Sequence, residues 1–356
     1  MLTINGRFLS QRNTGVQRYA REIVTELDLL FQNCRSQSPC ALRGKIVVPA
    51  GTSIPLLHGL EVRRTAGSGV LWEQFVLPAA ARGVLLSLGN VGPLVVSKHI
   101  VCIHDLNVLI APASYSRAFR SYYRIMLPLL ARTAARVVTV SHFSARMLDE
   151  FGLCPPEKIT IIPNGHEHTK RWKPHNSSFS AKEAHSRPFV FTLGSRAPHK
   201  NIDMLFTIAQ ELDAIGVDIL VAGMSSSIFS TRETGSVPAN VRLLGFVTED
   251  DLAALYQNAM CFAFPSLTEG FGLPALEAMA LGCPVVATDT ASLPEVCGDA
   301  VLYADPRSPR AWLDQFKRLR AEPATAHDLR ARAACQVERF SWKKSAQLYL
   351  DLIMSL

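Results

Sequence analysis

The chain has 356 residues, too many for one hydrophobic core and about right for two domains of ordinary size. It is 48% hydrophobic, 19% charged and 8% aromatic, the composition of a soluble globular protein, and no apolar run approaches the roughly 20 residues that span a bilayer. Its formal net charge of +7 is uneven: residues 1–170 carry 19 Lys/Arg against 10 Asp/Glu, a balance of +9, while the remainder is slightly acidic, which points to a local anionic partner rather than general polycation behaviour.

Met1 leads into Leu-Thr-Ile-Asn-Gly with no basic and apolar leader pattern, so a cytosolic protein is expected. In chain order the first half offers strands at 2–5, 45–49, 84–88, 100–103, 136–140 and 159–162. The second half offers 189–193, 218–222, 241–244, 261–264, 284–288 and 300–303. Continuous runs such as Asp218-Ile-Leu-Val-Ala222 suit strands covered on both faces, as in parallel sheets. Strand–helix alternation throughout predicts two doubly wound α/β domains. Residues 165–188 are polar and rich in His, Lys, Ser and Pro, and supply the linker. The expected division is 1–168, a linker at 169–188, a second domain at 189–340, and a closing helix at 341–356. Ser114 is the expected N-cap of a helix that reads as helical up to Pro128. Arg117, Arg120 and Arg124 share one face of it, beside Tyr115, Phe119, Tyr122, Tyr123 and Met126.

A doubly wound domain binds its ligand beyond the carboxyl ends of its strands. No Gly-x-Gly-x-x-Gly follows any candidate strand and the P-loop pattern is missing, which argues against a dinucleotide dehydrogenase and a P-loop nucleotidase. The informative stretch is Phe264-Pro-Ser-Leu-Thr-Glu-Gly-Phe-Gly-Leu-Pro-Ala-Leu-Glu-Ala-Met-Ala-Leu-Gly282. A strand ends near Pro265, a glycine turn follows, Pro274 opens a helix and Gly282 closes it. The turn 270–273 thus aims backbone N–H groups and a helix dipole at one spot, which suits a phosphate. Glu269 and Glu277 lie about 12 Å apart at helical rise, wider than the 5–9.5 Å of a glycosidase pair. They suit two parts of an elongated ligand with phosphate between; the plainer alternative is a solvated loop acid and a helix-face charge.

Glu269-x7-Glu277 enclosing Gly-Phe-Gly-Leu-Pro, followed by Gly-Cys-Pro-Val-Val-Ala and Ser292-Leu-Pro-Glu-Val296, resembles the retaining glycosyltransferases of family 4. Gly194-Ser-Arg-Ala-Pro-His-Lys-Asn201, Ile103-His104-Asp105-Leu106, Val138-Thr-Val-Ser141-His-Phe-Ser144, Ile162-Pro-Asn-Gly165 and Thr14-Gly15-Val-Gln-Arg-Tyr19 resemble further segments of that family in the same order. The resemblance covers nearly the whole chain. It implies the GT-B fold: two Rossmann-like domains facing a central cleft, with the last helix crossing back to the first domain, which is the acceptor side. It also implies roles. Lys200 would neutralise the departing diphosphate, Glu277 would bond the ribose, and Glu269 with the N–H groups of Gly270, Phe271, Gly272 and Leu273 would hold sugar and phosphate. His104 would lie by the sugar, and Gly15 would let the first loop approach the diphosphate. Many members have an arginine five residues before the lysine; here that position is Ser195, and Arg196 stands next to it.

Single residues carry less. His166 and His168 flank Glu167 but lack a third ligand at metal spacing, and His142 reads as a loop-orienting or acceptor-binding residue. The eight cysteines include no Cys-x-x-Cys pair and read as small apolar residues.

The expected activity is transfer of a hexose, mannose favoured, from GDP-mannose or a UDP-hexose to the hydroxyl of a surface polysaccharide or lipid-linked glycan, with retention and without a metal cofactor. Peripheral contact of Arg117, Arg120 and Arg124 with an anionic membrane is a further expectation. The alternatives are a GT-B epimerase or phosphorylase and, from another class, a basic nucleic-acid-binding module.

Overall fold

The structure is a computed structural model and describes residues 1–37, 43–179, 187–195, 197–223 and 237–356. The chain divides into two compact units: Met1–Leu109 with Arg117–Gly165 and Phe340–Leu356 form unit 1, and Ile110–Ser116 with His166–Arg339 form unit 2.

Unit 1 is built on seven parallel strands, β1 (Leu2–Asn5), β2 (Gly44–Pro49), β3 (Glu61–Thr65), β4 (Val84–Ser87), β5 (His99–Cys102), β6 (Arg136–Thr139) and β7 (Ile159–Ile161). Their order is β3-β2-β1-β4-β5-β6-β7. β1, β2 and β4 are buried along their whole length, and β2 and β4 accordingly carry continuous apolar runs, Ile46-Val47-Val48 and Val84-Leu85-Leu86, while β1 buries Thr3 and Asn5 between its apolar residues. β3 was not expected. Its sequence Glu-Val-Arg-Arg-Thr is exposed at four of five positions because it is the sheet edge, where no apolar run is required.

The final helix, Trp342–Met354, is capped by Ser341 and packs within unit 1 on the helix Gly15–Gln37. The Tyr19 and Tyr349 hydroxyls are 3.0 Å apart, the Tyr19 hydroxyl donates to the Ile162 carbonyl, and Ser345 Oγ donates to that of Pro163 at 2.7 Å. Trp342 meets Tyr19 edge-on with ring centres 5.6 Å apart.

Two expectations for residues 114–133 need correction. The helix runs from Arg117 to Thr133 with Pro128 inside it, because Met126, Leu127, Leu130 and Ala131 are buried on either side and hold the turn that the proline weakens. Ser114 is not its N-cap: it ends a short 3₁₀ turn, Pro112–Ser114, and its hydroxyl is bonded to His199 within unit 2.

Unit 2 carries β8 (Phe189–Leu193), β9 (Asp218–Ala222), β10 (Val241–Gly245), β11 (Cys261–Phe264), β12 (Val285–Ala287) and β13 (Leu302–Tyr303), all parallel. Their order is β10-β9-β8-β11-β12-β13. Val190, Ile219, Val221, Leu205, Leu212, Trp312 and Phe316 centre one of its cores. The segment expected as a separate linker belongs to this unit from His166 onward. Lys173 N donates to Asp250, while Ser177 Oγ and Ser178 N donate to Asp251 at 2.7 Å each. Burial opposes the charge of Asp251, but hydrogen bonds from Thr248, Ser177 and Ser178 outweigh it and hold the carboxyl below the usual carboxylate range.

In each unit the strand order reverses once, between β1 and β4 and between β8 and β11. In open parallel sheets that point leaves a crevice beyond the carboxyl ends of the strands, where ligands bind.

Candidate active site

The crevice of unit 2 is made by the segments that follow β8 and β11. After β8 the chain passes Gly194 and Ser195 into a 3₁₀ turn, Pro198–Lys200, and leaves it through Asn201 in the left-handed region at φ 52°. Asn201 Nδ2 donates to the Pro306 carbonyl at 2.9 Å, which anchors the turn that presents Lys200. After β11 the loop 265–272 is tied at several points. Leu267 N donates to the His199 carbonyl at 2.7 Å, Thr288 Oγ1 to that of Ser266 at 2.8 Å, and Ser292 Oγ to that of Glu269 at 3.0 Å.

These two segments bring Lys200 and Glu269 together. Lys200 Nζ donates to Glu269 Oε1 at 2.6 Å, with the lysine side chain 26% exposed and the glutamate 10%. The ammonium also lies 5.9 Å from the centre of the Phe264 ring. The pair is reachable by a ligand yet partly desolvated, where charge acts more strongly than in bulk water.

The helix expected after the glycine turn is Leu273–Ala280, with Pro274 in its first turn and Gly282 beyond its end at φ 75°. Gly272 precedes it at φ 96°, and a Cβ there would lie 2.5 Å from Leu293 Cδ2, so both backbone conformation and space demand glycine. The N–H groups at the start of a helix have no intrahelical acceptor, and here they stand beside the Glu269 loop. The chain therefore assembles at one sheet crevice a helix N-terminus, an ammonium and a carboxylate, an arrangement that can hold a phosphorylated sugar and stabilise charge on a departing phosphate.

Glu277 sits on that helix and is 1% exposed. Its Oε1 accepts from His168 Nε2 at 3.0 Å, and both side chains are 2% exposed. A carboxylate only accepts, so the imidazole carries its proton on Nε2. Trp172 meets the His168 ring edge-on at 5.3 Å. The two glutamates thus have different partners, as befits two contacts on an elongated ligand. His168 is a residue that sequence reasoning set aside as a failed metal ligand; it is 109 positions from its partner, and no local spacing could have paired them. Among the described residues no three His, Cys, Asp or Glu side chains gather as a metal site.

His199 was also overlooked. Its N–H and Nδ1 both meet Ser114 Oγ, and Tyr115 stacks on its ring at 6.1 Å. Burial first, then the Lys200 charge, lowers its pKa, so it stands beside Lys200 as a neutral ring.

The other expected site residues are less committed. Ser195 is exposed and accepts from Ala197 N at 3.3 Å, capping its own turn, and Arg196 lies outside the described residues. Gly15 and His104 are in unit 1. Gly15 opens the helix Gly15–Gln37, and a Cβ built on it meets nothing within 4 Å, so packing does not explain the glycine. His104 is buried, with Nε2 2.9 Å from the Leu88 carbonyl and Tyr19 edge-on at 4.7 Å; burial lowers its pKa to about 4, which keeps the ring neutral at pH 7.

Two family models match in succession. Residues 77–170 match the one described as Glycosyltransferase Family 4, and residues 175–336 the one described as Glycosyl transferases group 1. The O-antigen chain mannosyltransferase B of Escherichia coli is 28% identical over 254 residues, covering 68% of this chain and 67% of that protein. The serotype-specific mannosyltransferase WbdA of Escherichia coli is also 28% identical, over 276 residues that cover 70% of this chain and about a third of that protein (33%). The Anabaena protein HepE, solved with UDP and glucose, superposes with a TM-score of 0.68 at 18% identity, covering 100% of this chain and 99% of its own.

Proposed function

Because the chain belongs to the GT-B glycosyltransferases, with the family 4 and group 1 models matched in order, we propose that it moves a mannosyl residue from GDP-mannose to a hydroxyl of a surface-polysaccharide or lipid-linked glycan, retaining the anomeric configuration. The observation that carries this reading is the Lys200–Glu269 pair at 2.6 Å, held by the loops after β8 and β11 beside the N-terminus of Leu273–Ala280. Cleaving a sugar–phosphate bond develops negative charge on the leaving oxygen. Lys200 and the N–H groups of Phe271, Gly272 and Leu273 are the donors for it. On donor binding Lys200 exchanges part of its bond to Glu269 for the diphosphate, which frees the Glu269 carboxylate for sugar hydroxyls. Glu277 takes the ribose. Retention follows from attack on the same face as departure, with the donor phosphate receiving the acceptor proton. The charge compensation comes from Lys200 and backbone N–H groups, so transfer is expected to proceed without a metal.

Mannose rather than another hexose is favoured by the two mannosyltransferase relatives, and the UDP in the Anabaena complex makes UDP-hexoses the competing donors. Nucleotide-sugars screened by thermal unfolding decide between them. A ligand at a hundred times its Kd stabilises the native state by about 2.7 kcal/mol. GDP-mannose should raise the Tm while UDP-glucose and UDP-galactose leave it in place. Transfer from it should give an α-linked product by NMR; a β-linked product would exclude retention.

No helix among the described residues is long and apolar enough to cross a membrane. On Arg117–Thr133, Arg117 and Arg124 are exposed beside Phe119 and Ile125, which are 42% and 62% exposed. A basic helix with solvent-facing apolar side chains suits the surface of an anionic bilayer, at about 1 kcal/mol per basic residue. The protein should sediment with phosphatidylglycerol vesicles at low salt and leave them at high salt. Replacing Arg117, Arg120 and Arg124 by glutamine should abolish sedimentation and leave nucleotide binding unchanged. A wild type that ignores such vesicles at low salt points to a soluble acceptor.

A further inference from the structure

The residue before Lys200 carries a side chain to which the transfer scheme gives no task. His199 lies in the 3₁₀ turn Pro198–Lys200 and is 6% exposed. It is held on several sides. Its carbonyl accepts from Leu267 N at 2.7 Å, in the loop that carries Glu269. The Tyr115 ring lies nearly parallel to the imidazole, with 14° between the planes. Ser114 Oγ stands 2.8 Å from Nδ1 and 3.2 Å from the His199 backbone N. Ser114, Tyr115 and Leu267 all belong to unit 2, with His199 itself.

The bonds at Ser114 decide where the imidazole proton sits. The hydroxyl accepts from the His199 backbone N–H, and among the described residues Nδ1 is the acceptor left for its own proton. Donation to Nδ1 satisfies both groups and leaves the ring proton on Nε2. Burial, then the Lys200 charge, lowers the pKa of the ring against the opposing Glu269 charge, which keeps the imidazole neutral at pH 7. Nε2–H has no partner among the described residues, yet the atom is not closed off from solvent. One edge of the ring is thus fixed by a hydroxyl, one face is covered by a tyrosine, and the remaining donor is open. Locking of this kind by packing and hydrogen bonds is what holds a ligand-binding group in place.

The chemistry of the open donor selects the ligand atom. Nε2–H donates and cannot accept, so its natural partner is an atom that accepts and cannot donate. A phosphate oxygen is such an atom, whereas a sugar hydroxyl also needs an acceptor for its proton. Both Lys200 and Glu269 act electrostatically on the ring, so it stands at the same crevice. We propose that His199 is a further diphosphate-binding residue, whose Nε2–H bonds a phosphate oxygen beside Lys200, and that Ser114 is the positioning residue that fixes its tautomer. This inference rests on the transferase reading, because it takes the anion to be the diphosphate of a nucleotide-sugar.

The test is calorimetric titration of the full chain with GDP and with UDP. Two substitutions separate the two edges of the ring. Asparagine can place its amide where Nδ1 lies and keep the bond to Ser114, while glutamine reaches to where Nε2 lies. His199→Asn should weaken binding of the nucleotide about tenfold to a hundredfold, the range for a hydrogen bond to a charged group. His199→Gln should recover most of that loss. A histidine needed only for its bond to Ser114 gives the reverse order, which would overturn the assignment, as would equal affinity in the wild type and His199→Asn. Nitrogen-15 NMR of the histidine-labelled wild type needs no variant to fold. Saturating nucleotide should move the Nε2 resonance while Nδ1 stays unprotonated; if neither nitrogen responds, His199 does not meet the diphosphate. In the same spectra Ser114→Ala should give a mixture of tautomers, and a ring still wholly protonated on Nε2 would remove the positioning role. A wild type that binds neither nucleotide removes the transferase reading instead. Pyrophosphate is then the probe: affinity lost in His199→Asn and kept in His199→Gln upholds the anion contact, and a wild type that ignores pyrophosphate overturns it.

Discussion

Replacing Lys200 by alanine is expected to lower turnover at least ~100-fold, because one donor to a developing oxyanion is typically worth ~10²–10³ in rate. The lysine is the side-chain cation bonded to Glu269, and it stands beside the N-terminus of Leu273–Ala280. Removing it leaves the leaving phosphate only neutral N–H groups among the described residues of this scheme. Glu269→Ala should cost a similar factor by a different route: the sugar loses its carboxylate, and Lys200 loses the partner that holds it in place. Glu269→Ala should fall on kcat rather than on the nucleotide Kd, since in this scheme Glu269 meets only sugar hydroxyls. Lys200→Ala should lower kcat and weaken nucleotide binding as well, because Lys200 bonds the diphosphate already in the bound donor. Single-turnover kinetics with saturating donor separates the two. A Lys200→Ala enzyme with wild-type turnover would remove the core of the mechanism.

The second large effect is expected at His168. His168→Ala leaves the Glu277 carboxylate, 1% exposed, without its Nε2–H donor, and breaking a buried pair in this way costs about 3 kcal/mol or more. The Tm should fall accordingly, and nucleotide affinity should fall with it, as it should in Glu277→Ala, whose proposed partner is a ribose that does not react. Removing both polar groups together is the sharper measurement. His168→Leu with Glu277→Met replaces the pair by apolar side chains of similar volume, and should be less destabilised than the two single variants combined, because the buried imidazole and carboxylate are removed together. Stability recovered without nucleotide binding would separate the structural contribution of the pair from the ribose contact. A His168→Ala protein that melts and binds nucleotide like the wild type would show that the bond does neither.

The sequence by itself determined the features that depend on near neighbours. β2, β8, β9 and β11 are legible because strands buried on both faces carry runs of successive apolar residues. The helix Leu273–Ala280 is legible because its start, its proline and its closing glycine lie within ten residues of one another. Glu269 and Glu277 were candidates for the same reason, being eight positions apart with the glycine turn between them. The edge strand β3 escaped because an exposed strand carries no such pattern. The N-cap assigned to Ser114 failed because its hydroxyl is held by His199, 85 positions away. The folded structure alone decided which charges meet. Lys200 and Glu269 are 69 positions apart and His168 and Glu277 are 109 apart, while Arg7 and Glu73 are 66 apart. Each partner lies in a segment whose own sequence suits a solvated loop or an ordinary helix face. Only the packing of parallel strands, which gathers the segments after β8 and β11 at one crevice, turns Lys200 and Glu269 into a site.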